Sequence, residues 1–369
     1  MDELCFFASL LLLVVLIFSP IGSTFGRMPT FTSTSYDIAV RNEAELQKAV
    51  YNAQPGVPLI IALNTDIVLK SPFTLNYHKN ITLTSNRATG FYKLIGPLAT
   101  SSILIGETGV LQLDGIIVTH AKNTGGVGVH VNSGGTLILH RGEISGNKGN
   151  SWFGGGGVAN YGYFEMVGGA VSNNDNGGGM FGGGVTNQGT FVMSGGEISN
   201  NNASGNGGGV DNYGLFEMTG GKISNNNATN NGGGVHNHPM GTVNVTGGAI
   251  SNNKAEDNGG GVYNCGNFIS IGEISKNTAK VGGGVYNTGQ FSKSGGAISD
   301  NTASKGNNVY KHSDDELYYF GVQNVVIYMI VVIATFAVCV LLFYCLRQHK
   351  QSAVVNSGLN LCGELKSCV

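Results

Sequence analysis

The chain has 369 residues, of which 60 are Gly and only 11% are Asp, Glu, Lys or Arg. Globular proteins average about 7% Gly and about 25% charged residues, so this composition argues against an ordinary helical enzyme. Gly does not recur at every third position and Pro occurs only 7 times, which excludes collagen. The formal net charge of -2 provides no basic surface for a nucleic-acid backbone, and no nucleic-acid partner is expected.

The N-terminus carries an apolar run from Cys5 to Phe18, followed by Ser19-Pro20 and small residues. A run of this length is short for a membrane span and typical of a secretory signal peptide, which we predict over residues 1–26. Acidic Asp2 and Glu3 stand where such peptides usually have basic residues. An uncleaved N-terminal anchor is therefore the alternative.

Residues 27–56 form an N-terminal segment with one predicted helix, from Asn42 to Gln54. Asn42 is a suitable N-cap with Glu45 three residues later, and Leu46, Ala49 and Val50 make an apolar stripe. We predict that this helix covers the first coil of the domain that follows, because an exposed strand edge promotes aggregation.

Residues 57–310 contain a repeated unit that reads Val-x-Asn-x-Gly-x-Phe-x-Met-x-Gly-Gly-x-Ile-Ser-Asn-Asn. Its copies follow one another at intervals of 27, 25, 25, 27 and 23 residues. Apolar residues alternate within each copy, which is typical of short strands, and a fixed period in this range indicates a solenoid. Three strand segments per period predict an all-β, parallel β-helix of about ten coils. The copies begin at Val158, Val185, Val210, Val235, Val262 and Val285.

Stacking of the coils predicts columns of equivalent side chains. The Val residues above, with Val309 as a weaker member, make one inward column. A second column is Phe164, Phe191, Phe216, Val243, Phe268 and Phe291, and a third is Val171, Ile198, Ile223, Ile250, Ile274 and Ile298. A polar column is predicted to form an amide ladder with a structural role: Asn160, Asn187, Asn212, Asn237, Asn264 and Asn287.

The C-terminal part begins with a polar linker, residues 311–324. Val325 to Leu346 lack charges and reach about 33 Å as a helix at about 1.5 Å per residue, so we predict a transmembrane helix over residues 325–346. Arg347, His349 and Lys350 place the tail of residues 347–369 in the cytoplasm. We therefore expect a single-pass type I membrane protein at the cell surface. Its exported domain keeps one cysteine, Cys265, and no disulfide.

The copies GGGVYN, GGEIS and GGAISNN, preceded by a helix, resemble the repeats of pectin-lyase-like surface proteins, including adhesin-like proteins. They are loosely similar to the repeats of polymorphic outer-membrane proteins. The resemblance covers about residues 40–310 and implies a right-handed parallel β-helix, but it says little about activity.

Members of this fold that cleave acidic polysaccharides typically have acids on adjacent coils, as carboxylate pairs or as a calcium site near an Arg base. Here Glu143, Glu197 and Glu273 share a column with Ala and Lys between them, and Arg141 has no acid in a neighbouring coil. His236 and His238 are interpreted as exposed residues beside a two-residue insertion, since two ligands do not make a metal site. We predict no catalytic site, cofactor or metal.

Two sets of surface residues are candidates for recognition or modification. Exposed tyrosines stack on sugars or contact proteins, although strand propensity alone explains them equally well: Tyr161, Tyr213, Tyr263 and Tyr286. Four asparagines lie in N-x-[ST] sequons: Asn80, Asn202, Asn227 and Asn244. We predict an adhesin-like protein with an extracellular glycan or protein ligand. A polysaccharide lyase or hydrolase and a structural spacer are the alternatives.

Overall fold

The computed structural model describes residues 35–86, 90–121, 124–149, 154–176, 178–179 and 181–312. The predicted signal peptide, transmembrane helix and cytoplasmic tail lie outside these ranges, as do residues 313–324 of the linker. Within the described ranges, no helix has the length and apolar character needed to cross a membrane. The described residues from Asp37 to His312 belong to one compact unit, whereas Ser35 and Tyr36 fall in a separate one.

The described chain is built from short strands and one helix. The helix is α1 (Glu43–Asn52). The first ten strands are β1 (Ile38–Val40), β2 (Pro58–Leu63), β3 (Ile67–Val68), β4 (Phe73–Leu75), β5 (Asn80–Ser85), β6 (Lys93–Gly96), β7 (Ile103–Ile105), β8 (Val110–His120), β9 (Val129–Val131) and β10 (Thr136–Ser145).

The regular repeats supply the remaining strands. They are β11 (Val158–Asn160), β12 (Tyr163–Met166), β13 (Ala170–Ser172), β14 (Val185–Asn187), β15 (Thr190–Met193), β16 (Glu197–Ser199), β17 (Asn202–Ala203), β18 (Val210–Asn212), β19 (Leu215–Met218), β20 (Lys222–Ser224) and β21 (Asn227–Ala228). They continue as β22 (Val235–Asn237), β23 (Thr242–Val245), β24 (Ala249–Ser251), β25 (Lys254–Ala255), β26 (Val262–Asn264), β27 (Asn267–Ser270), β28 (Glu273–Ser275), β29 (Val285–Asn287), β30 (Gln290–Lys293), β31 (Ile298–Ser299) and β32 (Val309–Lys311).

These strands form a parallel β-solenoid of about ten coils, which confirms the all-β, parallel architecture and the coil number predicted from the repeat. One sheet has 19 strands, which lie in two rows. The long strands β8 and β10 belong to both rows, since β10 for example pairs with β12 in one row and with β13 in the other. A second sheet has ten strands, one per coil, from β4 to β32, and a third has three short strands, β17, β21 and β25. In the regular repeats from Val158 onward, parallel registers pair each strand residue with one 23 to 27 positions later, from Val262↔Val285 to Val158↔Val185.

The core consists of the predicted apolar columns. The Val column is fully buried from Val158 to Val285, and four rings of the Phe column are fully buried as well. Phe164, Phe191 and Phe216 stack with ring centroids 4.7 Å apart. Burial weakens at the last coil: Val309 pairs in register with Val285 but is 39% exposed.

The predicted Asn column forms a continuous amide ladder inside the solenoid. Each Nδ2 donates to the Oδ1 of the next Asn at 2.6–2.9 Å, and each side chain is at most 1% exposed. The amides also donate to turn carbonyls, as Asn212 does to Gly214 at 2.9 Å. The ladder therefore satisfies backbone groups that the turns leave unpaired.

A second amide ladder was not predicted. It is formed by the second Asn of the Ser-Asn-Asn sequence in most copies, and its members are also buried: Asn147, Asn174, Asn201, Asn226, Asn253, Asn277 and Asn301. Each Oδ1 from Asn174 to Asn301 accepts from both the backbone N–H and the Nδ2 of the preceding member at 2.9–3.1 Å. The residue before each member turns the chain in the left-handed region, as Asn225 does at φ 57°.

Helix α1 precedes the first complete coil. Asn42 is its N-cap, with Oδ1 accepting from the Glu45 N–H at 2.9 Å, and Leu46, Ala49 and Val50 are buried in the core. The helix ends at Asn52 rather than at Gln54.

Candidate functional site

The second sheet presents two columns of side chains on its outer side. Because strand residues alternate between faces, the middle residue of each strand points away from the buried Val and Asn positions. We call these middle residues the outer column: Thr74, Leu104, His130, Ala159, Thr186, Asp211, His236, Tyr263, Tyr286 and Tyr310. The residues in the adjoining turn make the turn column: Tyr161, Gln188, Tyr213, His238, Cys265, Thr288 and His312.

Glycine-rich bends lie over part of the outer column. At Gly207, which has φ +65°, a Cβ atom would lie only 2.7 Å from the Cβ of Asp211. A side chain at this position would therefore displace the bend. The close approach buries Asp211 completely, although its strand position faces outward.

Asp211, His236 and His238 form a cluster across two adjacent coils. Oδ1 of Asp211 accepts from His236 Nδ1 at 2.8 Å and from His238 Nε2 at 2.9 Å. The other carboxylate oxygen, Oδ2, is buried and has no hydrogen-bond partner among the described residues. The side chain of His236 is 7% exposed and that of His238 is 21% exposed, so the cluster meets solvent through His238.

The charges in this cluster follow from burial and proximity. Burial by itself raises the pKa of Asp211, but hydrogen bonds and charge interactions with both imidazoles outweigh it and bring this pKa below its usual value. Burial lowers the pKa of His236, and the hydrogen bond to Asp211 offsets this only in part. A carboxylate facing a neutral His236 imidazole is therefore the favoured state near neutral pH.

Neighbouring rings hold both imidazoles in place. His238 stacks on Tyr213 with centroids 3.5 Å apart, and His236 stacks on Tyr263 at 5.1 Å. The turn after His238 contains the inserted Pro239 and Met240, and it is closed by a hydrogen bond from the Gly241 N–H to the His238 carbonyl at 2.8 Å. The insertion lengthens this turn without moving His238 out of its column.

The outer column continues beyond the cluster as a stack of four rings. His236, Tyr263, Tyr286 and Tyr310 follow one another at centroid distances of 5.1, 5.1 and 5.2 Å. Lys305 ends the stack, with Nζ 4.7 Å from the Tyr310 ring centre and donating to its hydroxyl at 2.9 Å. The three tyrosines are half-buried. Burial raises the pKa of Tyr263 well above its usual value, so this phenol stays protonated.

The four predicted surface tyrosines are all half-buried, and they fall into both columns. Tyr263 and Tyr286 are direct neighbours in the outer column, and each has a ring against both of its faces. Tyr161 stacks on His130 at 5.1 Å and Tyr213 on His238, both from the turn column. Stacking of a sugar on the ring faces of Tyr263 and Tyr286 is therefore ruled out, whereas their edges remain accessible.

The predicted sequon residues are half-buried strand residues. Asn202 and Asn227 stack in the third sheet, where Asn227 Nδ2 donates to Asn202 Oδ1 at 3.0 Å. Asn80 accepts from Gln112 at 3.4 Å, and Asn244 has a buried Oδ1 without a hydrogen-bond partner among the described residues.

The acidic residues considered for polysaccharide cleavage are separated as predicted. The registers place Ala170 between Glu143 and Glu197, and Lys222 and Ala249 between Glu197 and Glu273. The expectation that Arg141 lacks an acid in a neighbouring coil is wrong, however.

Arg141 pairs with the preceding coil, where its Nε donates to Asp114 at 2.5 Å. The hydrogen bond to Asp114 raises the pKa of Arg141, which keeps the guanidinium protonated and unable to accept a proton.

The interpretation of His236 as exposed is also wrong. It treated His236 and His238 only as neighbours in sequence, whereas the third member of their cluster lies one period earlier. Asp211 occupies the same repeat position as His236, the residue between Val and Asn, and the register pairs the two directly. This shared repeat position is the sequence signal that would have pointed to Asp211.

Comparison of the chain with protein-family models, with curated proteins and with solved structures gave no match. The parallel β-solenoid is thus established by the structure itself, and the function has to be inferred from its surfaces.

Proposed function

We propose that the protein is a non-catalytic, adhesin-like recognition protein of the cell surface, and that the outer column of the second sheet contacts an extracellular protein. The ring stack from His236 to Tyr310 supports this most directly. It offers a row of aromatic edges and phenol hydroxyls at a spacing of about 5 Å, ending in the cation of Lys305. Tyrosine is enriched at the energetic centres of protein interfaces.

A protein ligand is favoured over a glycan because the ring faces are already covered. Sugars bind aromatic residues mainly through a free ring face, which Tyr263 and Tyr286 lack. Ring edges and hydroxyls instead suit the hydrogen bonds and close packing of a protein surface. The ordered stack also limits the side-chain entropy that binding would cost.

The proposal also includes the location of the solenoid outside the cell, its handedness and the role of its helix. The apolar segments at both ends of the sequence support secretion of the solenoid and a C-terminal anchor in the membrane at residues 325–346. The repeat motifs support right-handed winding of the pectin-lyase-like type. Helix α1 is proposed to shield the first coil, since its buried face joins the core next to β1.

Binding of the full-length chain, displayed on cells, to arrays of extracellular proteins and of glycans tests the proposal. We expect binding to one or more proteins, and at least a tenfold loss for the double variant Tyr286→Ala, Tyr310→Ala. Tyr77→Ala is the matched control, because Tyr77 is 78% exposed and lies outside both columns. Binding to glycans alone, or equal binding by the double variant, would contradict the proposal. No binding to either array would favour a structural spacer.

A further inference from the structure

The cluster of Asp211, His236 and His238 has the composition of a transition-metal site. Two imidazoles and one carboxylate each offer one ligand atom, and these atoms all lie within 4.8 Å of one another. Imidazole nitrogens and carboxylate oxygens bind Zn²⁺ at about 2.0–2.2 Å, and three protein ligands with a water in the fourth position are an established arrangement of zinc in proteins. Calcium and magnesium, by contrast, prefer oxygen ligands.

A structural role alone does not account for this cluster. The same outer column holds Ala159 and Thr186 in the two preceding coils, where the fold is equally regular. Burying a carboxylate is costly, and apolar or hydroxyl side chains avoid that cost. The solenoid therefore does not need an acid at position 211 for its stability.

The unpartnered oxygen of Asp211 is an independent observation that points to a ligand. Both imidazoles donate to Oδ1, while Oδ2 of the same carboxylate is buried without a hydrogen-bond partner among the described residues. A buried carboxylate oxygen usually has at least one donor or a cation. A metal ion between the three side chains would supply that positive charge.

The surroundings of the cluster favour a fixed geometry with access from outside. Tyr213 and Tyr263 stack on the two imidazoles and restrict their rotation, as supporting residues do around metal sites. The side chain of His238 is 21% exposed, which opens one side of the cluster to solvent. This side is where a fourth ligand, such as water, would bind.

We propose that Asp211, His236 and His238 bind one divalent transition-metal ion, of which Zn²⁺ is the best match. On binding, the two N–H···O hydrogen bonds to Asp211 are replaced by bonds to the ion. Each neutral imidazole then binds through the nitrogen that faces Asp211 and carries its proton on the other ring nitrogen. No redox step is involved, and the proposal is independent of the recognition function.

The test is metal binding by the untagged full-length chain after removal of metals with a chelator. Calorimetry with ZnCl₂ and elemental analysis after dialysis are expected to give one Zn²⁺ per chain. Co²⁺ serves as a spectroscopic probe, and its visible absorption reports imidazole and carboxylate ligation. Ca²⁺ is expected not to compete.

Two ligand variants and one control make the test specific. We expect His238→Gln and Asp211→Asn each to weaken Zn²⁺ binding at least about tenfold. His130→Gln is the matched control, because His130 lies in the same column and also stacks on a tyrosine, Tyr161. Circular dichroism of each variant checks that the solenoid is folded.

His238→Gln is the decisive variant, because the His238 side chain is the most exposed of the three and contributes least to the core. Absence of saturable Zn²⁺ binding by the wild type would overturn the proposal, as would equal affinity of wild type and His238→Gln. Equal weakening by His130→Gln, or displacement of Zn²⁺ by Ca²⁺, would also overturn it.

Discussion

Replacing Asn226 by Ala interrupts the second amide ladder in the middle of the solenoid. Asn226 is 1% exposed, and its Nδ2 donates to the Ile198 carbonyl at 2.9 Å and to Asn253 Oδ1 at 3.0 Å. Its Oδ1 accepts from the backbone N–H of Asn201 at 3.0 Å and from Asn201 Nδ2 at 2.9 Å. One side chain thus links three successive coils.

The expected loss of stability follows from the groups that lose partners. The buried backbone N–H of Asn201 has Asn226 Oδ1 as its hydrogen-bond acceptor, and leaving such a donor unpaired costs about 1–3 kcal/mol. Three further hydrogen bonds disappear, each with a net value of about 0.5–1.5 kcal/mol. Together these losses are expected to lower the free energy of unfolding of Asn226→Ala by roughly 2.5–7.5 kcal/mol.

Urea denaturation followed by far-ultraviolet circular dichroism measures this change. Asn230→Ala is the control, because Asn230 is an exposed residue of the same coil and its substitution should change stability by no more than about 0.5 kcal/mol. Hydrogen exchange should also show faster exchange of the Asn201 amide in Asn226→Ala. A midpoint shift no larger than that of the control would refute the structural role of the ladder.

Three further changes test other features of the structure. Gly221→Ala should lower the free energy of unfolding, measured in urea, by more than about 1 kcal/mol, because Gly221 has φ +79° and a Cβ there would lie 2.8 Å from a backbone oxygen of the preceding coil. The control Asn225→Gly should change this free energy by only about a few tenths of a kcal/mol, because glycine readily adopts the φ of 57° found at Asn225. Because burial lowers the pKa of His130, the unfolded state binds more protons, and stability should fall as pH drops below about 6.5. When the pH is lowered from about 7.5 to about 5, the urea midpoint of unfolding should therefore fall less for His130→Gln than for the wild type. Burial raises the pKa of the Cys265 thiol, so alkylation at neutral pH should be slower in the folded chain than in urea, and equal rates would contradict its burial.

The repeat made the solenoid predictable because spacing alone determined which residues stack. Alternation of apolar residues fixed which side of each strand is buried, and the Val, Phe and Ile columns lie where the copies placed them. The amide ladder from Asn160 to Asn287 was predictable for the same reason. The ladder through Asn226 was missed because the Ser-Asn-Asn sequence also fits an ordinary polar turn.

The candidate site was harder to predict because its side chains are buried by a neighbouring bend of the chain and not by the core of the solenoid. Alternation of strand residues places position 211 on the outward side of its strand, but it contains no information about the glycine-rich bend that covers this position. That bend approaches because Gly207 lacks a side chain, and the result is a buried acid at an outward-facing position. His236 was misinterpreted for the same reason. The covering of the tyrosine ring faces likewise depends on tertiary stacking.

The registers that join residues 23 to 27 positions apart also bear on how such a chain changes over evolutionary time. Since every copy contacts only the copy before and the copy after it, one whole copy can be gained or lost while the flanking contacts are re-formed between equivalent residues. Unequal recombination within the gene would thus alter the reach of the molecule in steps of about 4.8 Å. Asp211 and His236 lie on two neighbouring coils, so a recombination breakpoint between these coils would separate the two residues.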